Sequence, residues 1–532
     1  MMRWCSYKMN DGESCIYPAF DNDKDDLCIF HSIDLTHKTE FHTHLFKILD
    51  AVENDINKKE IDCSGYVFPE IDFSSREFKK SVIFKGAHFN NGVSFKGCKF
   101  FGPETDFSGC IFEGDTIDFS STEFNCKRII FAKCNFNANN VQFERAVLNA
   151  KEIVFAGSTW NNDYTRFHGS KFIATNGTID FNGAKFIKGN IYWFTTVFEG
   201  KRLTFNKTLF EVNFLSFKHT DFRSNDTIFE GATFNSKETI FKYTYFGGIT
   251  ASFERVQFVG QKTSFYHVMF NEAWYSFDRS LFRGKVIIEG DGFSERSCPL
   301  CSMINIQIDE PNNLTFRHID LSRTEFRGTD DLRKIEFIDV GWYKIPNTFL
   351  FFKKFYRSGL FDEVSLSTPD IYLISFAANL ELIRRAYRQL KQNYDDNKNY
   401  SEAGDFYYGE MEMQRRKLGW RKYIFSWEWW YWVISGYGQR WENSFGWMIF
   451  LFFGLPLLFI KTGLDFIYKN VHYPAGYWHA FQFNFLTITF QKDIGLLYDP
   501  SVLTRNIAIV ESLVMPVLGT LFVLALRRRF KR

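Results

Sequence analysis

Residues 81–136 read SVIFKGAHFNNGVSFKGCKFFGPETDFSGCIFEGDTIDFSSTEFNCKRIIFAKCNF, and the spacing of their phenylalanines decides the fold of most of the chain. Phe84/Phe89, Phe95/Phe100, Phe107/Phe112, Phe119/Phe124 and Phe131/Phe136 are pairs five residues apart that recur every eleven or twelve residues. The series continues through Phe143/Leu148, Phe155/Trp160 and Phe167/Phe172 and, after a two-residue insertion, from Phe181/Phe186 to Phe277/Phe282. A 5+7 alternation matches neither the 3.6-residue period of a helix nor the period of two of a long strand. Two residues before the first ring of a pair stands a β-branched side chain (Val82, Val93, Ile117, Ile129), and two before the second a small one (Ala87, Cys98, Cys110, Cys134). Each ring and the residue two before it therefore point the same way. A chain that turns after every five or seven residues winds into a coil whose neighbours share hydrogen bonds.

This pattern resembles the pentapeptide-repeat family, whose unit is a small residue, a polar one, a central Leu or Phe and two more. The resemblance covers Phe68 to Phe282, with a late coil at Phe316, Leu321 and Phe326, and implies a β-solenoid, a right-handed quadrilateral β-helix. Every second face is two residues longer than the family's five, so a rectangular cross-section is expected. Four faces use about 24 residues, which predicts about nine coils from Phe73 to Phe282, each resting on its neighbours as in other solenoids. Exposed solenoid ends need caps. Residues 38–56, with Phe41, Leu45, Ile48, Leu49, Val52 and Ile56 on one helical face, are expected to cover the first coil. Cys98, Cys110 and Cys134 read as buried packing residues rather than ligands.

The composition narrows the function. The 532 residues carry 64 Lys+Arg against 62 Asp+Glu and are 45% hydrophobic, which excludes a disordered chain. Some pentapeptide-repeat rods imitate DNA, but that requires a strongly negative surface. The stretch 71–282 holds about 25 basic and 21 acidic residues, so no nucleic-acid partner is expected. With no phosphate-binding glycine loop, nucleophile elbow or HExxH, an enzyme is not expected either.

Cys5, Cys15, Cys28 and His31 are spaced C-x9-C-x12-C-x2-H, which suits tetrahedral zinc. Four protein ligands close the site, so the zinc is expected to be structural, standing in for a core in a segment too short to bury one. The first residues lack the apolar stretch of a secretory signal, which predicts a cytoplasmic amino end with reduced thiols. In Cys298-Pro-Leu-Cys301 a surface turn is the preferred reading over a metal site.

From 377 to 418 the pattern becomes helical, with Leu380, Ile383, Tyr387, Leu390 and Tyr394 on one face and Ala403, Phe406, Glu410 and Met413 on another, predicting an antiparallel hairpin. It resembles the segment joining pentapeptide repeats to membrane domains in some bacterial proteins, and also a tetratricopeptide hairpin; a connector is the preferred reading. Residues 420–434, WRKYIFSWEWWYWVI, have the composition of an interfacial helix. The apolar runs 445–460 and 506–526 read as membrane spans, and the basic tail Arg527, Arg528, Arg529, Lys531 and Arg532 holds the carboxyl end inside. The reading is a multi-pass protein of the cytoplasmic membrane, in contact with lipid and with both termini cytoplasmic.

Between the spans, 476–494 (GYWHAFQFNFLTITFQKDI) is too short to cross and return, and a re-entrant half-helix is expected. Span, re-entrant segment, span and basic tail resemble the two-span pore-loop channels, and the last span resembles their inner helix, with Glu511, Pro516 and Gly519. The resemblance implies a homo-oligomer, a tetramer, with a pore segment of Thr487, Thr489, Phe490, Gln491, Lys492 and Asp493. Phe490 and Lys492 replace the glycines of a potassium filter, so potassium selectivity is not expected. Glu511 is either functional or an anchor for the re-entrant helix. Pro516 removes a helical hydrogen bond, and Gly519 allows close packing or bending.

The expected organisation is a zinc-binding knuckle (1–34), a helical cap (35–62), a β-helix (63–345) interrupted near 283–315, a neck with an interfacial helix (346–440) and a two-span membrane domain (441–532). The leading reading is an ion-channel-like pore with a cytoplasmic sensing or assembly module. The alternative is a membrane-anchored scaffold whose solenoid binds a protein partner and whose membrane domain does not conduct.

Overall fold

The computed structural model describes residues 3–8, 14–19, 23–34, 38, 40–270, 274–290, 300–349, 352–366, 376–417, 426–491 and 494–530. They form two compact units, Met1–Tyr343 and Lys344–Arg532.

The first unit is a β-solenoid of about 11 turns. Its parallel ladder pairs Phe68 with Phe89, Phe89 with Phe112, Phe112 with Phe136 and Phe136 with Trp160, and runs on in the same way to Phe282 and Ile308. The interior is a set of ring columns. Phe84, Phe107, Phe131, Phe155, Phe181 and Phe205 lie face to face at 4.7–4.9 Å, the spacing of hydrogen-bonded strands. Rings of adjacent faces meet edge to face, as Phe107 meets Phe119 at 5.7 Å and 88°. Both geometries suit the aromatic quadrupole, each contributing about 0.5–1.5 kcal/mol beyond area burial.

The small inward position does more than make room. Cys110 Sγ donates to the carbonyl of Phe84, Thr122 Oγ1 to that of Phe95, Thr220 Oγ1 to that of Trp193 and Ser280 Oγ to that of Phe253, at 2.6–2.9 Å. Threonine, cysteine and Ser280 thus add a hydrogen bond between coils at a position that alanine fills without one, while Ser158 and Ser170 bond within their own coil. Cys98, Cys110 and Cys134 are buried there, as packing residues.

The two-residue insertion is absorbed locally. The strand Lys171–Asp180 shifts register against its neighbour between Ala174 and Thr178, while the rings on either side, Phe155 and Phe181, still stack at 4.8 Å and 2°. The stretch 283–315, expected to interrupt the solenoid, carries the ladder on in its described residues. Lys285–Glu289 pairs with Lys262–Tyr266 and, from Val286, with Leu314–Arg317; Ile288 and Ile308 stand where the ladder had Phe265 and Phe282, and Val286, Met303 and Ile306 are buried beside them. Cys301 is buried on the strand Cys301–Ser302, which corrects the expected surface turn at that residue; Cys298 lies outside the described residues.

Helix α1, Phe41–Asn54, covers the first coil, with the Phe41 ring against Phe68 at 5.7 Å and Phe46 against Phe73 at 5.9 Å. Ile56 lies beyond the helix and is exposed, so the covering face is shorter than its apolar periodicity suggested.

In the second unit, α2 (Phe376–Asp396) and α3 (Tyr400–Lys417) form the expected hairpin, with Ile383, Tyr387, Leu390, Phe406 and Met413 fully buried. Beside it lies a buried charge chain that the sequence did not announce. Arg357 donates to Glu363 Oε2 at 2.5 Å, Tyr387 donates to the same oxygen at 2.6 Å, and Arg416 reaches Glu363 Oε1 at 2.9 Å and Glu412 at 3.1 Å. Then come α4 (Trp427–Ser435), α5 (Trp441–Thr462), α6 (Tyr477–Ile488) and α7 (Val502–Phe530).

If the ring column carries the solenoid, Phe131→Ala should cost about 3–5 kcal/mol through cavity formation. Thr220→Val, which loses only a hydroxyl bond, should cost about 1 kcal/mol. Urea unfolding of the purified chain, followed by far-ultraviolet circular dichroism, should rank the two midpoints in that order.

Candidate functional site

The amino-terminal cluster is built by three short segments. An antiparallel ribbon, with bridges Trp4 to Pro18 and Lys8 to Ser14, sets Cys5 against Tyr17 and Cys15 against Tyr7 on its two strands. A tight turn, in which the amides of His31 and Ser32 both donate to the Cys28 carbonyl, brings Cys28 and His31 to the same point. The four expected ligands are all buried, and their donor atoms lie within 4.8 Å of one another. Cys15 Sγ is 3.8 Å from Cys28 Sγ, and His31 Nδ1 is 3.2 Å from Cys28 Sγ and 3.6 Å from Cys5 Sγ. A tetrahedral ion with ligands at about 2.0–2.3 Å sets its donors about 3.3–3.8 Å apart, so the residues present fit such an ion.

The surroundings fix the donors. His31 Nε2 lies 3.2 Å from the Ser64 carbonyl, to which its N–H donates, leaving Nδ1 as the free donor. Tyr7 stacks on the imidazole at 3.9 Å, and Tyr66 meets it edge-on at 5.2 Å. The Cys28 amide donates to Cys5 Sγ at 3.2 Å. The Cys15 contact, followed by burial, pushes the Cys28 thiol up, and burial pushes the Cys5 thiol up. A buried cation would reverse that penalty by favouring thiolates. Sequence spacing picked out the four clustered residues; Tyr7, Tyr66 and the Ser64 carbonyl carry no spacing signal.

The second candidate region lies in the second unit. Trp441–Thr462 and Val502–Arg528 are long and apolar enough to cross a membrane, and most of each window faces away from the rest of the chain. Between them Leu464–Tyr468 and Val471–Pro474 form a hairpin that Tyr498–Pro500 extends to three strands. The sequence reading missed this sheet. Its signal was the dipeptide Lys469-Asn470, both residues at positive φ, between short apolar runs.

Helix α6 has 12 residues, and its buried Ala480 and Phe483 pack with Phe459 of α5, Ala508 of α7, Leu464 and Tyr498. Asn484, fully buried, donates from Nδ2 to the Phe452 carbonyl at 3.0 Å, and Tyr477 OH donates to the Phe453 carbonyl at 3.1 Å. On α7 the buried residues Thr504, Ala508, Glu511, Met515, Leu518 and Ala525 form one stripe, while Val510, Leu513, Val517 and Val523 are exposed on the other side. Glu511 is thus turned inward, beside the Asn484 amide. Its carboxylate faces the Asn484 side chain, the neighbour through which it could anchor α6. A Cβ on Gly519 would meet nothing within 4 Å, so packing within one chain does not require glycine there. Pro516 lies inside α7, where Thr520 Oγ1 donates to its carbonyl at 2.8 Å.

Of the expected pore residues, Thr487 and Thr489 bond back to carbonyls of their own helix, Phe483 and Phe485. The amides of Phe490 and Gln491 donate to Thr487 and Leu486, a Schellman closure with Phe490 at φ 55°, where glycine is usual. Lys492 and Asp493 lie outside the described residues.

Residues 73–117 match the family model of pentapeptide repeats (9 copies). No curated protein and no solved structure matches the chain.

The left-handed conformation costs a side-chain-bearing residue about 1–2 kcal/mol. Phe490→Gly should therefore raise the thermal midpoint of the purified chain, and Phe490→Val should lower it. A lower midpoint for the glycine variant would mean that the exposed ring is needed where it stands.

Proposed function

We propose that the chain is an oligomeric, channel-like membrane pore, not selective for potassium, whose β-solenoid is a cytoplasmic assembly or sensing module and whose amino-terminal cap is closed by structural zinc. The observation that carries the reading is the short apolar helix Tyr477–Ile488 between two longer apolar helices. At 1.5 Å per residue it is about 18 Å long, too short for a hydrocarbon layer of about 30 Å. A backbone ending at that depth needs protein or a water-filled cavity around it, which several copies around one axis would supply. The resemblance to two-span pore-loop channels makes that number four. The inward Glu511 and Asn484 support the same reading, since polar groups within spans face bundle interiors or aqueous paths. The charge of Lys492 would lower cation density in such a pore, and by the positive-inside rule the basic carboxyl tail, after two crossings, would leave both termini in the cytoplasm.

Cys5, Cys15, Cys28 and Nδ1 of His31 would hold the zinc. Bound zinc supplies folding energy as a cross-link, with no position left open for chemistry.

The closed helix end at Phe490 favours a second reading, in which the helices anchor a protein-binding scaffold and conduct nothing. Ion flux from proteoliposomes decides between them: the pore requires flux that changes its anion-to-cation ratio in Lys492→Glu, and an anchor gives none. Elemental analysis should find one zinc per chain. A strong chelator should lower the thermal midpoint, as should Cys28→Ser, and affinity should fall with falling pH because the ligands must lose protons. Unchanged stability in chelator would remove the metal from the fold.

A further inference from the structure

Each turn of the solenoid has two corners at which the residue two after a ring takes positive φ. One corner column reads Gly86, Gly109, Lys133, Gly157, Gly183, Lys207, Gly231, Arg255 and Arg279. The other reads Gly97, Ser121, Arg145, Gly169, Thr195, His219, Tyr243 and His267. A side chain in that conformation costs about 1–2 kcal/mol relative to glycine, and only the second corner accepts that cost to carry rings.

Those rings join others into one ridge. The column beside them, linked coil to coil, is His168, Phe194, Lys218, Lys242 and Tyr266. His168 stacks on Phe194 at 4.9 Å, Phe194 meets His219 at 5.6 Å, and His219, Tyr243 and His267 follow at 5.1 and 5.3 Å. Lys218 lies over the Phe194 ring at 5.5 Å, and Lys242 lies over Tyr243 at 5.3 Å and Tyr266 at 4.7 Å. Neither lysine has an ion-pair partner among the described residues, and from His168 to His267 the two columns contain no carboxylate. Elsewhere the solenoid surface balances its charges from coil to coil, as Arg128 does between Glu104 and Glu152.

We propose that this ridge is a docking surface for an anionic lipid membrane. Charge complementarity calls for an anionic partner, and five coils at about 4.8 Å make a line about 19 Å long from end ring to end ring. The rings cover one another's faces, so they offer bases no platform for stacking, which argues against single-stranded nucleic acid. Outward ring edges beside lysine ammonium groups are the composition of a headgroup anchor. The inference rests on the membrane reading above only for keeping a lipid surface at high effective concentration.

The test uses the full chain in nanodiscs of phosphatidylcholine, with and without phosphatidylglycerol, and reads lysine acetylation by mass spectrometry. Lys218 and Lys242 should react about fivefold more slowly on the anionic discs, the preference expected of a lysine at an anionic surface, while Lys133 and Lys207 of the other corner react equally on both. Equal rates at all four lysines would overturn the proposal. So would protection of Lys218 and Lys242 by a single-stranded oligonucleotide or polyglutamate but not by anionic lipid. Carbonate extraction of the same chain from liposomes reports membrane spanning separately. Extraction combined with lipid-dependent protection would sink the spanning reading and leave the ridge standing.

Discussion

Everything in the first unit depends on one ring lying flat on the ring of the next coil. That contact fixes the rise at the spacing of hydrogen-bonded strands, so ring stacking and the backbone ladder reinforce each other instead of competing. It also fixes coil length. A coil with extra residues must lose them before its rings come into register, and the bulge between Ala174 and Thr178 does so on the surface, where it leaves Phe181 squarely on Phe155. The small inward residues follow from the same constraint. Beside a flat ring there is room for a methyl, hydroxyl or thiol, and the hydroxyls and thiols use that room to hold a carbonyl of the coil before.

The corners are where the winding is costly. A turn after five residues requires left-handed backbone at a fixed place in every coil, and glycine is its cheapest occupant. Where the sequence puts lysine, arginine, histidine or tyrosine there, the strain must be offset by the ladder on both sides, and the side chain is displayed outward at a position the fold cannot move. The solenoid therefore behaves as a ruler, with outward side chains repeated at strand spacing along straight lines.

This repetition explains what could be read in the sequence. A residue's environment recurs about 24 residues later, so the 5+7 spacing states one constraint many times over and survives exceptions such as Leu148, Trp160 and Ile308. The Cys28–His31 pair was legible because its x2 spacing is itself a turn. Features whose partners come from separate elements left no such trace. The Arg357–Glu363–Arg416–Glu412 chain joins residues from a strand, a short helical turn and α3, and no periodicity links them. Ile56 fits the apolar period of α1 and still lies outside it, because a helix end is set by local hydrogen bonds that hydrophobic spacing does not report. Cys301 was misplaced for a related reason: a Pro-containing dithiol suggests a turn, but the ladder from Tyr275 and Ser276 draws it into a strand.

The second unit is organised by polar atoms rather than rings. Buried charges are expensive to leave unpaired, and replacing such pairs by apolar groups is often neutral or stabilising, so their presence says more about specificity than about stability. Arg357 and Glu363 are almost completely buried, yet both Arg357 Nη atoms and both Glu363 oxygens find partners on other elements, which fixes how the hairpin of α2 and α3 meets the strand and helical turn before it. The same logic holds between the apolar helices. Asn484 ties α6 to the Phe452 carbonyl of α5, and Glu511 faces it from α7. A helix trio held together only by apolar contacts would be free to slide. Two polar side chains turned to the same point remove that freedom, beside the apolar contact of Phe459, Phe483 and Ala508 where the three helices also meet.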